Sequence, residues 1–455
     1  TSALVDAIYT GHTHKQYAWD APVPGVEGKT RPIVQTGSYG EFIGQIELAY
    51  NAETDEVLSY TAGNVARTTT PAADLVAAYP AVAEVKRIVD AALAFAAEVG
   101  NQPIGSVTAD ITTAFAGTSR DDRGNESTLG NLVADSLLSS LGSPERGGAE
   151  IGVVNPGGLR AELYYGEDGV ITYAEANAVL PFVNNLWTTT LTGAQLKSVL
   201  EEQWQPDGSS RTFLALGLSD NVTYTYDPDQ PRGSRIQSVT VNGEALDPNR
   251  AYRVGTFSFL AQGGDNFSTF AQGTDTRDSG LIDRDAWISY LQASSPVSPD
   301  FARQGVIVKG APATAQAGST VTFAVDKLDL TSLGSPANTT LAVSWVPAGG
   351  TAVALGSVPV TAGAASVTAA IPASASGPGA LVLTADPSGT TVSIPVTVDE
   401  APQQPTCVRP VPPKNWWAGF SCGMAVIPAP VTNSITGLCW RISAFRKAKS
   451  ARMCR

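Results

Sequence analysis

Histidine and cysteine are scarce in this chain of 455 residues. It has only two histidines, His12 and His14, and its four cysteines all lie after residue 400. The first 400 residues must therefore fold without disulfides.

Long apolar runs and basic stripes are also missing. No run of 18 or more apolar residues is present, so the sequence offers no membrane-spanning helix. The net charge is −13 and the pI is about 4.7, with no basic stripe in the first 400 residues. This balance argues against nucleic acid and against an anionic membrane surface as the main partner. The length predicts roughly three domains, each with its own core.

The two histidines follow an apolar run. Residues 3–9, Ala-Leu-Val-Asp-Ala-Ile-Tyr, predict a buried strand, and Gly11 allows a sharp turn at its end. In an extended segment, residues two positions apart point the same way, so the rings of His12 and His14 can converge on one point. Neutral imidazole is a common ligand for divalent transition metals. The alternative is a polar turn without a ligand, and this short motif alone does not decide between the two.

Strands and then a helix are predicted in the next 90 residues. Residues 32–40 and 42–48 predict two strands around a glycine turn, and residues 57–60 predict the returning strand of a hairpin. Between Pro71 and Val99 apolar residues recur at helical spacing, and Gly100 ends the pattern. We therefore predict a linker helix between two domains.

A charged loop precedes the central helix of the next domain. Ser127 or Thr128 can cap a helix with an apolar face that includes Leu132, Leu137 and Leu138. Just before it, the loop 119–126 reads Ser-Arg-Asp-Asp-Arg-Gly-Asn-Glu. Two arginines near the free N–H groups of a helix start make a ready phosphate site. The alternative is a solvated loop whose Arg and Asp side chains pair with each other, and these residues alone favour it.

Three more segments combine a strand or helix with glycine or phenylalanine. A buried strand at residues 151–154 leads into Asn-Pro-Gly-Gly-Leu-Arg at 155–160, where paired glycines let a ligand approach the backbone. A capped short helix at 172–180 leads into Pro-Phe-Val-Asn-Asn, and a strand at 252–257 leads into Phe-Leu-Ala-Gln-Gly-Gly-Asp at 259–265. Taken singly, each phenylalanine is more often core than ligand platform.

Five motifs, in this order, resemble those of the bacterial 5′-nucleotidase and UDP-sugar hydrolase family, which includes 2′,3′-cyclic phosphodiesterases. They are Gly-His-Thr-His, Arg-Gly-Asn-Glu-Ser-Thr-Leu-Gly-Asn-Leu-Val-Ala-Asp, Asn-Pro-Gly-Gly-Leu-Arg, Leu-Pro-Phe-x-Asn and Phe-Leu-Ala-x-Gly-Gly-Asp. The resemblance covers residues 1 to about 304. The family normally supplies its other metal ligands and its catalytic histidine upstream of the first motif. We therefore expect this chain to be a fragment that begins inside the catalytic domain.

The resemblance assigns roles at the nucleoside end of a site. Phe182 and Phe259 would sandwich the base, and Asn184 would bond it. Asp265 would accept hydrogen bonds from the ribose hydroxyls. Val183 stands where the family often has glycine, so this loop is expected to differ in shape.

The resemblance also assigns phosphate and metal roles. Arg123 and Arg160 would bind phosphate, with Arg120 one residue away from the matching position, and Asn155 belongs to the glycine-rich motif. The two histidines would ligate a centre of two divalent metal ions, Zn, Mn or similar, which this chain would bind incompletely.

The last 150 residues change in composition twice. Residues 305–400 are rich in Ala, Thr, Val, Ser and Gly in short alternating runs, which predict an all-β Ig-like sandwich, a spacer or adhesive unit without chemistry. Residues 401–455 have no acidic residue and eight Lys or Arg, and we predict an irregular basic tail. It is either a wall- or membrane-associating segment or a frame-shifted end.

These inferences predict a multidomain chain. Its parts are the C-terminal remnant of an α/β metallophosphoesterase sandwich (1–65), a linker helix (66–100), an α+β 5′-nucleotidase C-terminal domain (101–304), the Ig-like sandwich (305–400) and the tail (401–455). The implied function is hydrolysis of small-molecule extracellular nucleotides by a secreted or cell-surface protein. The alternatives are a 2′,3′-cyclic phosphodiesterase, a UDP-sugar hydrolase and, from another class, an inactive nucleotide-binding or surface-adhesive protein.

Overall fold

A computed structural model describes residues 2–400, so the predicted basic tail lies outside the described residues. The chain divides into two units, residues 1–98 and the residues from 99 onward. Within residues 2–400, the helices are too short or too polar to cross a membrane.

The first unit contains five strands and two helices. Three strands form a sheet in the order β1-β3-β2, and β4 and β5 form a separate antiparallel hairpin that confirms the predicted one. The bounds are Ile8–Tyr9 (β1), Gln16–Pro22 (β2), Thr30–Thr36 (β3), Phe42–Asn51 (β4), Glu56–Ala66 (β5), Ala72–Ala78 (α1) and Pro80–Gly100 (α2).

The buried strand predicted for residues 3–9 is wrong in extent and in burial. Only Ile8 and Tyr9 are extended, and neither is buried. The preceding residues turn instead, with the Val5 N–H donating to the Ser2 carbonyl at 3.3 Å. The Ser2 and Val5 carbonyls accept hydrogen bonds from the Arg31 guanidinium, at 2.7 and 2.9 Å. These contacts hold the start of the chain in a turn, and β1 begins only at Ile8.

The single predicted linker helix is in fact two helices that break at Tyr79. Proline has no N–H, and its ring pushes the preceding residue out of the helical region. Tyr79 accordingly has φ −125° and ψ 108°, and α2 begins at Pro80. Neither helix buries a residue.

A mixed five-stranded sheet, in the order β10-β7-β14-β9-β15, organises the first part of the second unit. The strands of this part are Pro103–Ser106 (β6), Ile151–Val154 (β7), Val170–Thr172 (β8), Asn185–Thr192 (β9), Gly217–Leu218 (β10), Val222–Tyr226 (β11), Ile236–Val241 (β12), Glu244–Ala245 (β13), Ala251–Phe257 (β14) and Thr274–Ile282 (β15). The helices are Thr128–Leu141 (α3), Tyr173–Val179 (α4), Gly193–Glu201 (α5), Ser258–Ala261 (α6) and Asp283–Ser294 (α7).

Helix α3 packs on this sheet through a regular apolar face. Its start is as predicted, because the Ser127 hydroxyl accepts a hydrogen bond from the Gly130 N–H at 3.1 Å. The face buried in the core repeats every four residues: Leu129, Val133, Leu137 and Leu141. The predicted face was therefore partly wrong, since Leu132 and Leu138 lie only at its margin.

Glycine permits the close approach of α3 to β7. A Cβ on Gly152 would lie 2.0 Å from the carbonyl oxygen of Ala134, so no other residue fits there without a backbone shift. This contact fixes the end of β7, and with it the Asn-Pro-Gly-Gly segment that follows.

The second part of the second unit is a two-layer β structure around Trp345, which is 2% exposed. Its two sheets have the orders β13-β12-β11-β16-β18-β21 and β17-β23-β22-β19-β20. The strands of this region, where alternating runs predict β structure, are Gly305–Lys309 (β16), Thr314–Gln316 (β17), Thr320–Asp326 (β18), Thr340–Pro347 (β19), Val353–Pro359 (β20), Ala365–Ala370 (β21), Gly377–Asp386 (β22) and Thr391–Asp399 (β23). Strand β16 pairs in parallel with β11, so one sheet runs across residue 304.

Candidate functional site

Three polar side chains meet beside Gly157, in a tight turn after β7. A Cβ on Gly157 would lie 3.2 Å from Arg123 Nη1, 3.3 Å from Asp265 Oδ2 and 3.4 Å from Asn155 Nδ2. Asn155 Nδ2 also donates a hydrogen bond to Asp265 Oδ2 at 2.7 Å. Residues from three separate sequence motifs are thus brought to one place.

Asn155 leaves one polar atom without a partner. The residue is 3% exposed, and its Oδ1 accepts no hydrogen bond from any described residue. A buried acceptor without a donor is costly, at about 1–3 kcal/mol. This oxygen is therefore suited to receive a donor from a ligand or a water molecule.

Asp265 lies in a strained turn. Gly263, Asp265 and Asn266 have φ of 89°, 54° and 64°, all in the left-handed region. The turn is anchored by Asn266 Nδ2, which donates to Gln205 Oε1 at 2.8 Å. The Asp265 carboxylate bonds to Asn155 and not to its own turn, so its orientation is set by another segment of the chain.

The two phenylalanines assigned to the base lie on the surface. Phe182 is 56% exposed and Phe259 is 45% exposed, whereas nearby Phe257 and Phe267 are fully buried. The alternative that Phe182 and Phe259 are core residues is therefore wrong. Gly264 lies directly against the Phe259 ring, where a Cβ would be 2.5 Å from the ring carbons.

The Phe182 segment keeps a backbone shape that normally requires glycine. Val183 has φ 59°, in the left-handed region, although a β-branched residue is strongly disfavoured there. Valine is therefore strained here, in a conformation that glycine adopts freely. The guanidinium carbon of Arg160 lies 5.5 Å from the centroid of the Phe182 ring.

Asn184 is held by a buried carboxylate that the sequence did not single out. Its Nδ2 donates to Asp283 Oδ2 at 2.9 Å, and the Asp283 N–H donates to the Asn184 carbonyl at 2.9 Å. Asp283 is 1% exposed, and burial raises the pKa of its carboxyl group. Because the bond to Asp283 uses one N–H of Nδ2, the Asn184 oxygen and the second N–H are left for a ligand.

The two candidate arginines of the charged loop differ in their contacts. Arg123 Nε and Nη2 bond to the Asp121 carboxylate at 2.9 and 2.8 Å, which is the pairing within the loop that the sequence also allowed. Arg123 Nη1 faces Gly157. Arg120 instead bonds through Nε to the buried Glu162 at 2.6 Å, and no described contact joins it to the Gly157 cluster.

The two histidines do not have the geometry expected for a metal site. His12 and His14 have φ of 69° and 57°, so the segment bends, and the argument from an extended strand was wrong. Both side chains are exposed, and the His14 ring has an edge contact with Tyr39. Among residues 2–400, no group of three or more His, Cys, Asp or Glu side chains is arranged to hold a metal ion. The residues described do not fit a two-metal centre.

The comparison with known families covers the segment that carries the site. Residues 103–272 match the family described as "5'-nucleotidase, C-terminal domain". The chain carries a 5′-nucleotidase C-terminal domain. This domain includes the Gly157 cluster, both exposed phenylalanines and the candidate arginines Arg120, Arg123 and Arg160.

Curated relatives also resemble part of this chain. The chain is 29% identical over 304 residues to the trifunctional nucleotide phosphoesterase protein YfkN of Bacillus subtilis, covering 65% of this chain and 19% of that protein. It is 31% identical over 173 residues to a probable 5′-nucleotidase of Treponema pallidum, covering 36% and 28%. It is 28% identical over 278 residues to the cell wall protein Lmo0130 of Listeria monocytogenes, covering 58% and 32%. The chain thus spans between 19% and 32% of these relatives.

Asp135 and Asp220 form an acidic pair in the 5′-nucleotidase C-terminal domain that the sequence did not single out, although Asp135 ends one of the five motifs. The Asp220 N–H donates to Asp135 Oδ1 at 2.8 Å. Burial and the nearby Asp220 carboxylate raise the pKa of Asp135 to about 8. Burial and Asp300 also raise the pKa of Asp220.

This pair predicts that stability falls as pH rises from about 4 to about 8. The folded chain keeps a proton on Asp135 that the unfolded chain releases near its ordinary pKa of about 3.9, so the stabilisation is lost as pH approaches 8. Asp135→Asn keeps an acceptor for the Asp220 N–H and removes the titration. Between pH 5 and pH 8, the midpoint of urea unfolding should fall more for the parent than for Asp135→Asn. Asp207→Asn, at an exposed site, is the control, and equal slopes for parent and Asp135→Asn would contradict the prediction.

Proposed function

We propose that residues 101–304 bind a nucleotide, and that the chain belongs to a hydrolase of extracellular nucleotide phosphate esters, of the 5′-nucleotidase type. The observation that carries the proposal is the meeting of Arg123, Asn155 and Asp265 beside Gly157. A cation, an amide and a carboxylate next to a backbone without a side chain suit a ligand that is both anionic and rich in hydroxyl groups.

Each part of the nucleotide has a candidate partner. Phe182 and Phe259 are exposed rings on which a base can stack, and stacking tolerates every base because each has a π-face. The Asp265 carboxylate would accept hydrogen bonds from the ribose hydroxyls. The phosphate would lie toward Arg123 Nη1 and Arg160, whose planar guanidinium groups match phosphate oxygens.

The proposed reaction class is supported by the relatives and not by the geometry. One relative is described as a trifunctional nucleotide phosphoesterase and another as a probable 5′-nucleotidase. These descriptions support phosphoester hydrolysis and leave 2′,3′-cyclic phosphodiesterase and UDP-sugar hydrolase as alternatives. A relative that is a cell wall protein supports a secreted or cell-surface location.

We expect the 455-residue chain to bind AMP without efficient turnover. Two histidines supply too few ligands for the divalent metal ions, Zn or Mn, that the resemblance implies. Calorimetry with AMP and with adenosine tests binding, and a phosphate-release assay with AMP and excess Mn²⁺ tests turnover.

The two measurements test different parts of the proposal. If the chain binds neither AMP nor adenosine, the nucleotide-binding function is wrong. If turnover reaches the ordinary range of roughly 1 to 10³ per second and is abolished by His12→Ala, the expectation of poor catalysis is wrong.

A further inference from the structure

The C-terminal β structure, residues 305–399, is joined to the 5′-nucleotidase C-terminal domain by a buried carboxylate. Glu126 is 5% exposed and accepts hydrogen bonds from the backbone N–H groups of Gln304, at 2.7 Å, and Gly305, at 3.0 Å. Arg303 lies 3.6 Å from the same carboxylate. The residue that holds the junction is thus three positions from Arg123 in the sequence.

The loop between β18 and β19 reaches back to the turn that carries Arg123. Lys327 Nζ donates to Asn125 Oδ1 at 2.6 Å, and Asn125 Nδ2 donates to Asp122 Oδ2 at 2.8 Å. The Asn125 N–H also donates to the Asp122 carbonyl at 3.1 Å, which closes the turn around Arg123. Lys327 therefore holds the residue that closes this turn.

A second residue of the same loop holds the start of helix α3. The Ser332 hydroxyl accepts a hydrogen bond from the Thr128 N–H at 3.1 Å and donates to the Thr112 carbonyl at 3.0 Å. Ser332 is 3% exposed, and Thr112 and Thr128 are also buried. The Arg123 turn is thus fixed on its C-terminal side by two residues of the β18–β19 loop.

We propose that the C-terminal β structure positions the phosphate end of the nucleotide site, with Lys327 and Ser332 as positioning residues for Arg123. This inference rests on the proposed nucleotide-binding function. Arg123 Nη1 faces Gly157, and its direction depends on the turn around residues 122–125. When the contact from Lys327 is lost, the turn gains freedom, and Arg123 loses alignment with the phosphate but not with the nucleoside.

A comparison of AMP with adenosine as ligands distinguishes this positioning role of Lys327 from a general effect on folding. Lys327→Met removes the donor and keeps an apolar stem, and Lys327→Arg restores a donor. Lys309→Met is the matched control, because Lys309 lies in the same β structure and its Nζ makes a 2.6 Å contact with Asp229 Oδ2. By calorimetry, we expect Lys327→Met to weaken AMP binding by about threefold to tenfold and to change adenosine binding by less than about twofold. Lys327→Arg should recover most of the AMP affinity, and Lys309→Met should leave the affinities for both ligands unchanged.

Hydrogen exchange tests the positioning without any nucleotide. Backbone amides of residues 121–125 should exchange faster in Lys327→Met than in the parent or in Lys309→Met. Unchanged exchange, or equal loss of AMP and adenosine affinity, would overturn the inference. If the parent binds neither ligand, the proposed function fails, and exchange alone then decides whether the β18–β19 loop holds the turn: faster exchange supports this and unchanged exchange overturns it.

Discussion

Replacing Phe259 by alanine is expected to weaken adenosine binding by about 1 to 3 kcal/mol, the usual worth of one base stacked on an aromatic ring. The ring is 45% exposed, so its removal leaves little cavity, and stability should change much less than affinity. Calorimetry with adenosine measures the affinity, and thermal unfolding measures the stability.

The control for Phe259→Ala is Phe95→Ala. Phe95 is 77% exposed on helix α2 and should leave adenosine affinity unchanged. If Phe259→Ala binds adenosine as tightly as the parent, the ring serves only to pack against the Gly264 backbone.

Replacing Asp265 by alanine should abolish the preference for a ribose over a sugar without hydroxyls. In the parent, the two hydroxyls can donate to a charged acceptor, which is worth roughly 1.5 to 3 kcal/mol. Adenosine should therefore bind the parent more tightly than 2′,3′-dideoxyadenosine, and the variant should bind both alike. Competition calorimetry with the two ligands measures this difference within each protein, so any general effect of the substitution cancels.

Asp55→Ala is the matched control for Asp265→Ala. Asp55 also has a positive φ, 57°, so its replacement carries a similar backbone cost without touching the candidate site. It should keep the ribose preference of the parent. A parent that binds the two nucleosides equally would contradict the role assigned to Asp265.

Features set by neighbours in the sequence were predictable. The cap at Ser127, the strand before Asn155 and the strands around Trp345 follow from local patterns, and the structure has them. The break at Pro80 also follows from local chemistry, since proline ends helices, but the apolar period continues across it and predicts a single helix.

Features that depend on distant partners were not predictable. Asn184 and Asp283 are 99 positions apart, and Asn155 and Asp265 are 110 apart, so no local pattern pairs them. The family resemblance singled out Asn155 and Asp265. It did not single out Asp283, because an acidic residue in the first turn of a helix such as α7 is common. The bend at the two histidines was missed because the sequence gives residues and not their φ angles.

The pairing of β11 with β16 has a consequence for any attempt to shorten this protein. A chain cut after residue 304 would keep β11 and lose the strand that bonds to Tyr224, Thr225 and Tyr226. Those residues would then present a row of unpaired backbone groups, and such exposed edges recruit strands from other molecules. The shortened protein would tend to self-associate. If it failed to bind nucleotide, the cause would be the exposed sheet edge and not the chemistry of the site.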